Sequence, residues 1–266
     1  MTYFDPSISQ FSRHGVHVKV LHEYQNHPYA SGNKWWKLKY NLEQARKEEH
    51  DTLLTFGGAY SNHIYATSAA AKEHGFKSIG IIRGEEVDNL TLSFARSQGM
   101  KLQFISRAEY RRKEELKFPG VFVIPEGGSN QYAIEGCAEW GRKLLNIEFD
   151  VMYVAIGTGG TMAGLLKGID GKRKVIGVPV LKGYSSSEWT LLNEYHHGGY
   201  AKVNKELTTF CESIKEEYDI VVEPVYTGKL FWAVFDQIDR GLITKGTTVL
   251  MIHTGGLQAC HFALAK

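Results

Sequence analysis

Lys34 is the first residue whose surroundings suggest chemistry. It stands in Ala-Ser-Gly-Asn-Lys-Trp-Trp-Lys-Leu, residues 30–38, where a glycine turn delivers a lysine to the start of a helix. Helix electrostatics favour cations at the C-terminal end, so an ammonium at the N-terminal end is disfavoured and the neutral amine gains. Shielding by Trp35 and Trp36 would add desolvation to the same effect, giving the lowered proton affinity that a Schiff-base lysine needs to be nucleophilic. Taken alone, the default for this lysine is a solvated surface residue, because most lysines are exposed.

A second segment, Gly-Gly-Ala-Tyr-Ser-Asn-His at residues 57–63, runs from a strand end into a helix. Its first turn presents backbone donors beside the side chains of Ser61, Asn62 and His63, a set suited to a carboxylate or a phenolate oxygen. The alternative is a plain helix cap by Ser61 or Asn62. The third segment is Gly157, Thr158, Gly159, Gly160 and Thr161, between a strand and a helix, where a phosphate cradle belongs. No Gly-Lys-Ser/Thr follows, which excludes a Walker loop, and Met162 stands where a dinucleotide fingerprint needs its third glycine. A compact monophosphate suits the turn, and tight packing is the alternative.

Short β-type runs alternate with longer amphipathic stretches, the signature of an α/β fold with mostly parallel sheets. Strands are expected at 52–56, 78–82, 101–105, 121–124, 151–156, 174–178, 220–222 and 247–252. Helices are expected at 35–49, 61–74, 90–98, 132–145, 162–168, 204–217 and 230–240. Glycine clusters mark strand-to-helix junctions at 57–58, 127–128, 157–160 and 255–256, the sheet edge where open parallel sheets hold ligands. The strands between 52 and 124 group into one sheet and the rest into another. This predicts a small domain at 51–127 and a large one made of 1–50 and 128–266, with a cleft between them.

The chain has 266 residues, 43% of them hydrophobic, enough for a sizeable core. A formal charge of +2 gives no reason to expect nucleic acid as a partner. Cys137, Cys211 and Cys260 are too few and too scattered for a disulfide framework or a metal site, which fits a reducing compartment. The first ten residues do not read as a signal peptide, and no apolar run reaches the roughly 20 residues of a membrane helix, so a cytoplasmic protein without a membrane partner is expected. His196 and His197 lack a third ligand at metal spacing and read as a surface pair. The basic run Arg111, Arg112, Lys113 and Lys117 is interleaved with Glu109, Glu114 and Glu115 and reads as a solvated helix face.

Taken in order along the chain, these segments resemble the fold-type II pyridoxal-phosphate enzymes of the 1-aminocyclopropane-1-carboxylate deaminase and D-cysteine desulfhydrase family. The resemblance covers residues 31–42, 55–75, 124–136, 155–164, 223–229 and 253–256. It implies a two-lobed, tryptophan-synthase-β-like α/β architecture, pyridoxal 5′-phosphate as cofactor, a small amino acid as substrate, and a homodimer. It implies Lys34 as the Schiff-base lysine, Asn62 at the cofactor's phenolic oxygen, and the phosphate in Gly157 to Thr161. Ser61, Asn62 and His63 would line the substrate carboxylate site, Ser61 being also a candidate for proton transfer at Cα. Tyr226 matches the active-site tyrosine, Tyr200 a second one, and Thr227 the residue facing the pyridine nitrogen.

Thr227 favours β-elimination of D-cysteine to pyruvate, ammonia and sulfide, because the cyclopropane-opening deaminases place a glutamate there and a hydroxyl is a weaker partner. Ring opening of 1-aminocyclopropane-1-carboxylate is the alternative activity, and a pyridoxal-phosphate-binding protein without turnover the alternative class. Two departures from the family pattern stand out. Its Arg-Asp-Asp segment is replaced by Val20, Leu21, His22, Glu23, Tyr24 and Gln25, and the region between Gly84 and Val121 is shortened.

Overall fold

The computed structural model describes residues 1–257; Cys260 lies outside the described residues. The chain opens with an antiparallel pair, β1 (Ile8–Arg13) and β2 (Val16–Leu21), followed by a 3-10 turn at Glu23–Asn26 and helix α1 (Asn33–Lys47). Then come β3 (Thr52–Gly57), α2 (Asn62–Glu73), β4 (Lys77–Arg83), α3 (Leu90–Ser97), β5 (Lys101–Ile105), α4 (Arg107–Arg111), β6 (Phe122–Ile124) and α5 (Gln131–Leu144). The remainder is β7 (Val151–Ile156), α6 (Gly160–Ile169), β8 (Lys174–Pro179), β9 (Thr190–Leu191), α7 (Lys205–Tyr218), α8 (Thr227–Asp239) and β10 (Thr248–Ile252).

These strands form two sheets. One has four parallel strands in the order β5-β4-β3-β6; the other has six in the order β1-β2-β10-β7-β8-β9, parallel except at β1. Strand β7 shows why the larger sheet is covered on both sides. Side chains alternate across a strand, so Val151, Tyr153 and Ala155 pack toward α8 while Met152, Val154 and Ile156 pack toward α1, α5 and α6. All six are buried, as expected where helices cover both faces of a parallel sheet. In the four-stranded sheet Leu53 packs with Leu38 and Leu42 of α1 and Ala66 and Ala70 of α2. Helix α1 therefore contributes to the core of both lobes.

Two sequence expectations are corrected. Residues 220–222 form no strand: the Val221 carbonyl is occupied by the His253 side chain, 2.7 Å away, and not by a neighbouring strand. The β1–β2 hairpin was not expected, although its second strand supplies Val16, Val18 and Val20 to the core. His196 and His197 have packing tasks: His196 Nδ1 accepts the Gly198 amide at 2.9 Å, and His197 stands edge-on to Trp232. No helix among the described residues is long and apolar enough to cross a membrane.

Close backbone approach fixes α1 against α5. A Cβ at Gly136 would stand 1.9 Å from the Trp36 carbonyl oxygen. Gly136→Ala should therefore destabilise the fold by at least the ~1–3 kcal/mol typical of overpacking, read as a lower urea midpoint at unchanged slope.

Candidate active site

Sheet topology places the site before any side chain is considered. From β3 the chain moves out to β4 and β5, then returns to the other side of β3 as β6; β8 and β10 likewise flank β7. Such reversals leave a crevice beyond the C-terminal ends of the strands. A cavity of roughly 310 Å³ lies there, walled by the turns after β3, β6, β7 and β10 and by the first turn of α1. Lys34, Ser61, Asn62, His63, Tyr200 and Tyr226 line it, with Gly157, Thr158, Gly159 and Thr161 of the glycine turn. Gly160 and Thr227 are not in its wall.

Lys34 is launched by a backbone turn that only glycine can make. Gly32 has φ +64°, and a Cβ there would stand 2.0 Å from the Thr254 carbonyl oxygen. Asn26 grips this glycine at both ends: its Oδ1 accepts the Gly32 amide at 2.8 Å and its Nδ2 donates to the Gly32 carbonyl at 3.1 Å. Fully buried Glu23 holds Asn26 in turn, accepting its Nδ2 at 2.8 Å and the Trp36 indole N–H at 2.7 Å. Burial raises the Glu23 carboxyl to about 7 against the pull of these hydrogen bonds. The departure from the family pattern at residues 20–25 thus contains a carboxylate that braces the lysine turn. Local sequence gives no sign that this glutamate is inside.

The Lys34 amine reaches the cavity deep in the protein, and burial lowers it from 10.5 to about 7, with Lys37 adding to the effect. The tryptophans do not shield it directly. Trp35 and Trp36 lie in the core and not in the cavity wall, Trp36 stacked on Trp140 at 6.0 Å.

Ser61 is both a cap and a wall residue: its Oγ accepts the Ile64 amide at 3.3 Å while the side chain faces the cavity. His63 is buried with both ring nitrogens unpartnered, and burial, then Lys34 and Lys37, holds it well below its ordinary range. It is a neutral imidazole awaiting a partner from the cavity.

Across from this turn, Gly159 takes φ +89° and precedes the first turn of α6. Asn33 ties it to the lysine turn by donating to Thr161 Oγ1 at 2.8 Å. Lys37 was not singled out by sequence reasoning. It lies one helical turn from Lys34, a spacing that shares a face, and it is 2% exposed. Its amine donates to the Gly127 carbonyl at 2.8 Å and lies 3.3 Å from where a Gly160 Cβ would be, so it stands against the glycine turn as a buried amine whose proton affinity burial lowers. Gly160 itself supports the cradle from behind, where a Cβ would also meet Ser129 Oγ at 2.8 Å.

Tyr226 packs over Gly157, which can carry no side chain without meeting that ring at 3.1 Å, and Tyr200 stands edge-on to it at 6.0 Å. Thr227 departs from expectation because its hydroxyl is engaged by Glu223, 3.0 Å from the backbone N and 3.2 Å from Oε1. Glu223 also accepts the amides of Val225, Tyr226 and Thr227 at 2.7, 2.8 and 2.6 Å, capping the start of α8. Behind the last wall, His253 Nδ1 accepts the Gly255 amide at 3.2 Å, and a Cβ at Gly256 would meet Asn62 and Glu223 at 3.0 Å.

These residues fit pyridoxal phosphate. The glycine turn, the N-terminus of α6 and Lys37 suit its phosphate, Lys34 offers an amine of lowered proton affinity to its carbonyl, and His63 brings an unsatisfied hydrogen-bonding ring.

The buried amine also makes a stability prediction for the cofactor-free protein. Lys34 binds its proton less tightly folded than unfolded, so stability present above 10.5 is lost as pH falls toward 7. Wild type should lose up to about 1.4 kcal/mol per pH unit to this group over that window. Lys34→Met should remove that slope and be the more stable form at pH 7, as measured by urea unfolding across pH.

Comparison with known proteins agrees with this geometry. The family model described as "Pyridoxal-phosphate dependent enzyme" matches residues 6–255. A putative 1-aminocyclopropane-1-carboxylate deaminase of Pyrococcus abyssi is 30% identical over 91% of this chain and 85% of its own. The D-cysteine desulfhydrase of Klebsiella pneumoniae is 26% identical over 86% and 83%. A solved 1-aminocyclopropane-1-carboxylate deaminase homologue superposes with a TM-score of 0.84 at 25% identity, covering 98% of this chain and 93% of that one. The chain therefore belongs to the fold-type II pyridoxal-phosphate-dependent enzymes, in the family of 1-aminocyclopropane-1-carboxylate deaminases and D-cysteine desulfhydrases, and its cofactor is pyridoxal 5′-phosphate.

Proposed function

We propose that this protein is a deaminating carbon–sulfur lyase of small amino acids, whose reaction is β-elimination on D-cysteine to give pyruvate, ammonia and sulfide. The observation that carries this reading is the Lys34 amine, lowered to about 7 and set between a glycine cradle and a helix N-terminus. Bound pyridoxal phosphate supplies an electron sink that makes the α-proton of an amino acid removable. Lys34 holds the cofactor and, once displaced by substrate, moves the proton at Cα. Ser61 is a second candidate for that transfer, its Oγ already oriented by the Ile64 amide. Asn62 holds the phenolic oxygen, and the start of α2 with neutral His63 receives the substrate carboxylate.

Burial keeps the Tyr226 phenol protonated, its proton affinity raised well above the ordinary value, so it can donate to a thiolate leaving Cβ, with Tyr200 beside it. Residue identity at 227 supports elimination over ring opening, because a threonine stands where the resemblance places the glutamate of the ring-opening deaminases. The names of relatives support ring opening of 1-aminocyclopropane-1-carboxylate as a second reading. Residues 51–127 are proposed as the small lobe, and 1–50 with 128–266 as the large one.

Borohydride reduction of the cofactor-loaded protein should fix the pyridoxyl group on Lys34, and D-cysteine should yield sulfide and pyruvate in equal amounts. Lys34→Ala should lower that rate by about a thousandfold or more. Release of 2-oxobutanoate from 1-aminocyclopropane-1-carboxylate, with no sulfide from D-cysteine, would move the assignment to ring opening. Inactivity of the loaded protein on a panel of D- and L-amino acids would make it a binding protein.

A further inference from the structure

The cavity wall holds one cation that the proposed chemistry does not use. Arg83 ends β4 and lines the cavity at its rim. Strands β3 and β4 run in parallel register with Gly57 opposite Ile82, so Arg83 lies beside Gly58, at the start of the turn that leads into Ser61, Asn62 and His63. Its Nη2 is 3.5 Å from where a Gly58 Cβ would be, and its guanidinium carbon lies 5.7 Å from the Tyr110 ring centroid. Among the described residues it has that aromatic neighbour but no ion pair and no hydrogen bond. The one carboxylate sharing the wall, Glu126, is paired with Lys113 at 3.4 Å.

Counting charge around the cavity leaves Arg83 unassigned. Lys34 serves the cofactor's carbonyl and Lys37 stands at the phosphate cradle, while buried His63 is neutral. A planar guanidinium with its donors uncommitted matches a carboxylate in a two-pronged geometry, and no other cation in the wall offers that fork.

We propose that Arg83 recognises a carboxylate of the amino-acid substrate at the mouth of the site. That carboxylate is either the α-carboxylate, shared with the start of α2, or a second one on the substrate side chain. The inference rests on the proposed function in one respect, that an amino acid is the substrate.

Cofactor-loaded wild type, Arg83→Met and Arg83→Lys are titrated with both enantiomers of alanine, aspartate and alaninamide, following the cofactor's absorption. Arg83→Met should weaken alanine and aspartate by about tenfold to a hundredfold, the loss expected for a charge-assisted hydrogen bond. Alaninamide binding and the spectrum before titration should be unchanged, and Arg83→Lys should recover part of the loss. Loss for aspartate alone identifies the side-chain carboxylate; loss for alanine as well identifies the α-carboxylate. Equal affinities for wild type and Arg83→Met, an equal loss for alaninamide, or a loaded wild type that answers to none of the six compounds overturns the proposal. Failure of wild type to take the cofactor on Lys34 is seen before any titration; it defeats the proposed function, and the role of Arg83 falls with it.

Discussion

Two lysine amines buried one helical turn apart, with no carboxylate among the described residues paired to either, are the constraint around which this structure is arranged. Removing an ammonium from water costs far more than a hydrogen bond returns, and a buried lysine meets that cost by giving up its proton. Burial lowers Lys34 to about 7, with Lys37 adding to the effect, and burial lowers Lys37 in the same direction. Among the described residues the Lys37 amine donates to a backbone carbonyl, and His63 beside them is held neutral. Such a centre is built to receive anions. A phosphate and a carboxylate would restore to these groups the partners that folding withholds.

Keeping uncompensated amines in place requires a rigid surround, and close backbone contact supplies it. Gly32 lies against Thr254, Gly136 against Trp36, and Gly168 against the Ala138 carbonyl at 2.1 Å measured from a hypothetical Cβ. These contacts lock the lysine helix to α5 and α5 to the helix behind the glycine cradle. Lys34, the cradle and the last strand are therefore joined through close backbone contacts, which is what a site that must hold a cofactor between them needs.

Buried polar groups complete the arrangement from behind. Glu23 works through Asn26 and Gly32 on the lysine turn, while Glu223 works through three amides on Tyr226 and Thr227. Both carboxyls are raised to about 7 by burial and opposed by the hydrogen bonds they accept. His253, lowered to about 4, stays neutral and joins Val221 to Gly255. None of the three lines the cavity: Glu223 fixes Tyr226 and His253 fixes Gly255 in its wall, and Glu23 braces the turn that precedes Lys34.

Sequence alone determined the alternation of strands and helices, the lysine at a helix start, the strand-to-helix turn at Ser61 and the glycine turn before α6, because each is a local pattern with its own backbone requirement. Only the tertiary structure decided which residues meet there. Lys37 and Glu23 look like ordinary surface residues until α1 is seen packed between two lobes. Residues 220–222 have strand composition but lose their pairing to the His253 side chain, 32 positions away. Thr227 matches a family position, yet its hydroxyl goes to Glu223, a choice set by how α8 is capped. Burial and partnership depend on contacts between segments far apart in the chain, and no local spacing encodes them.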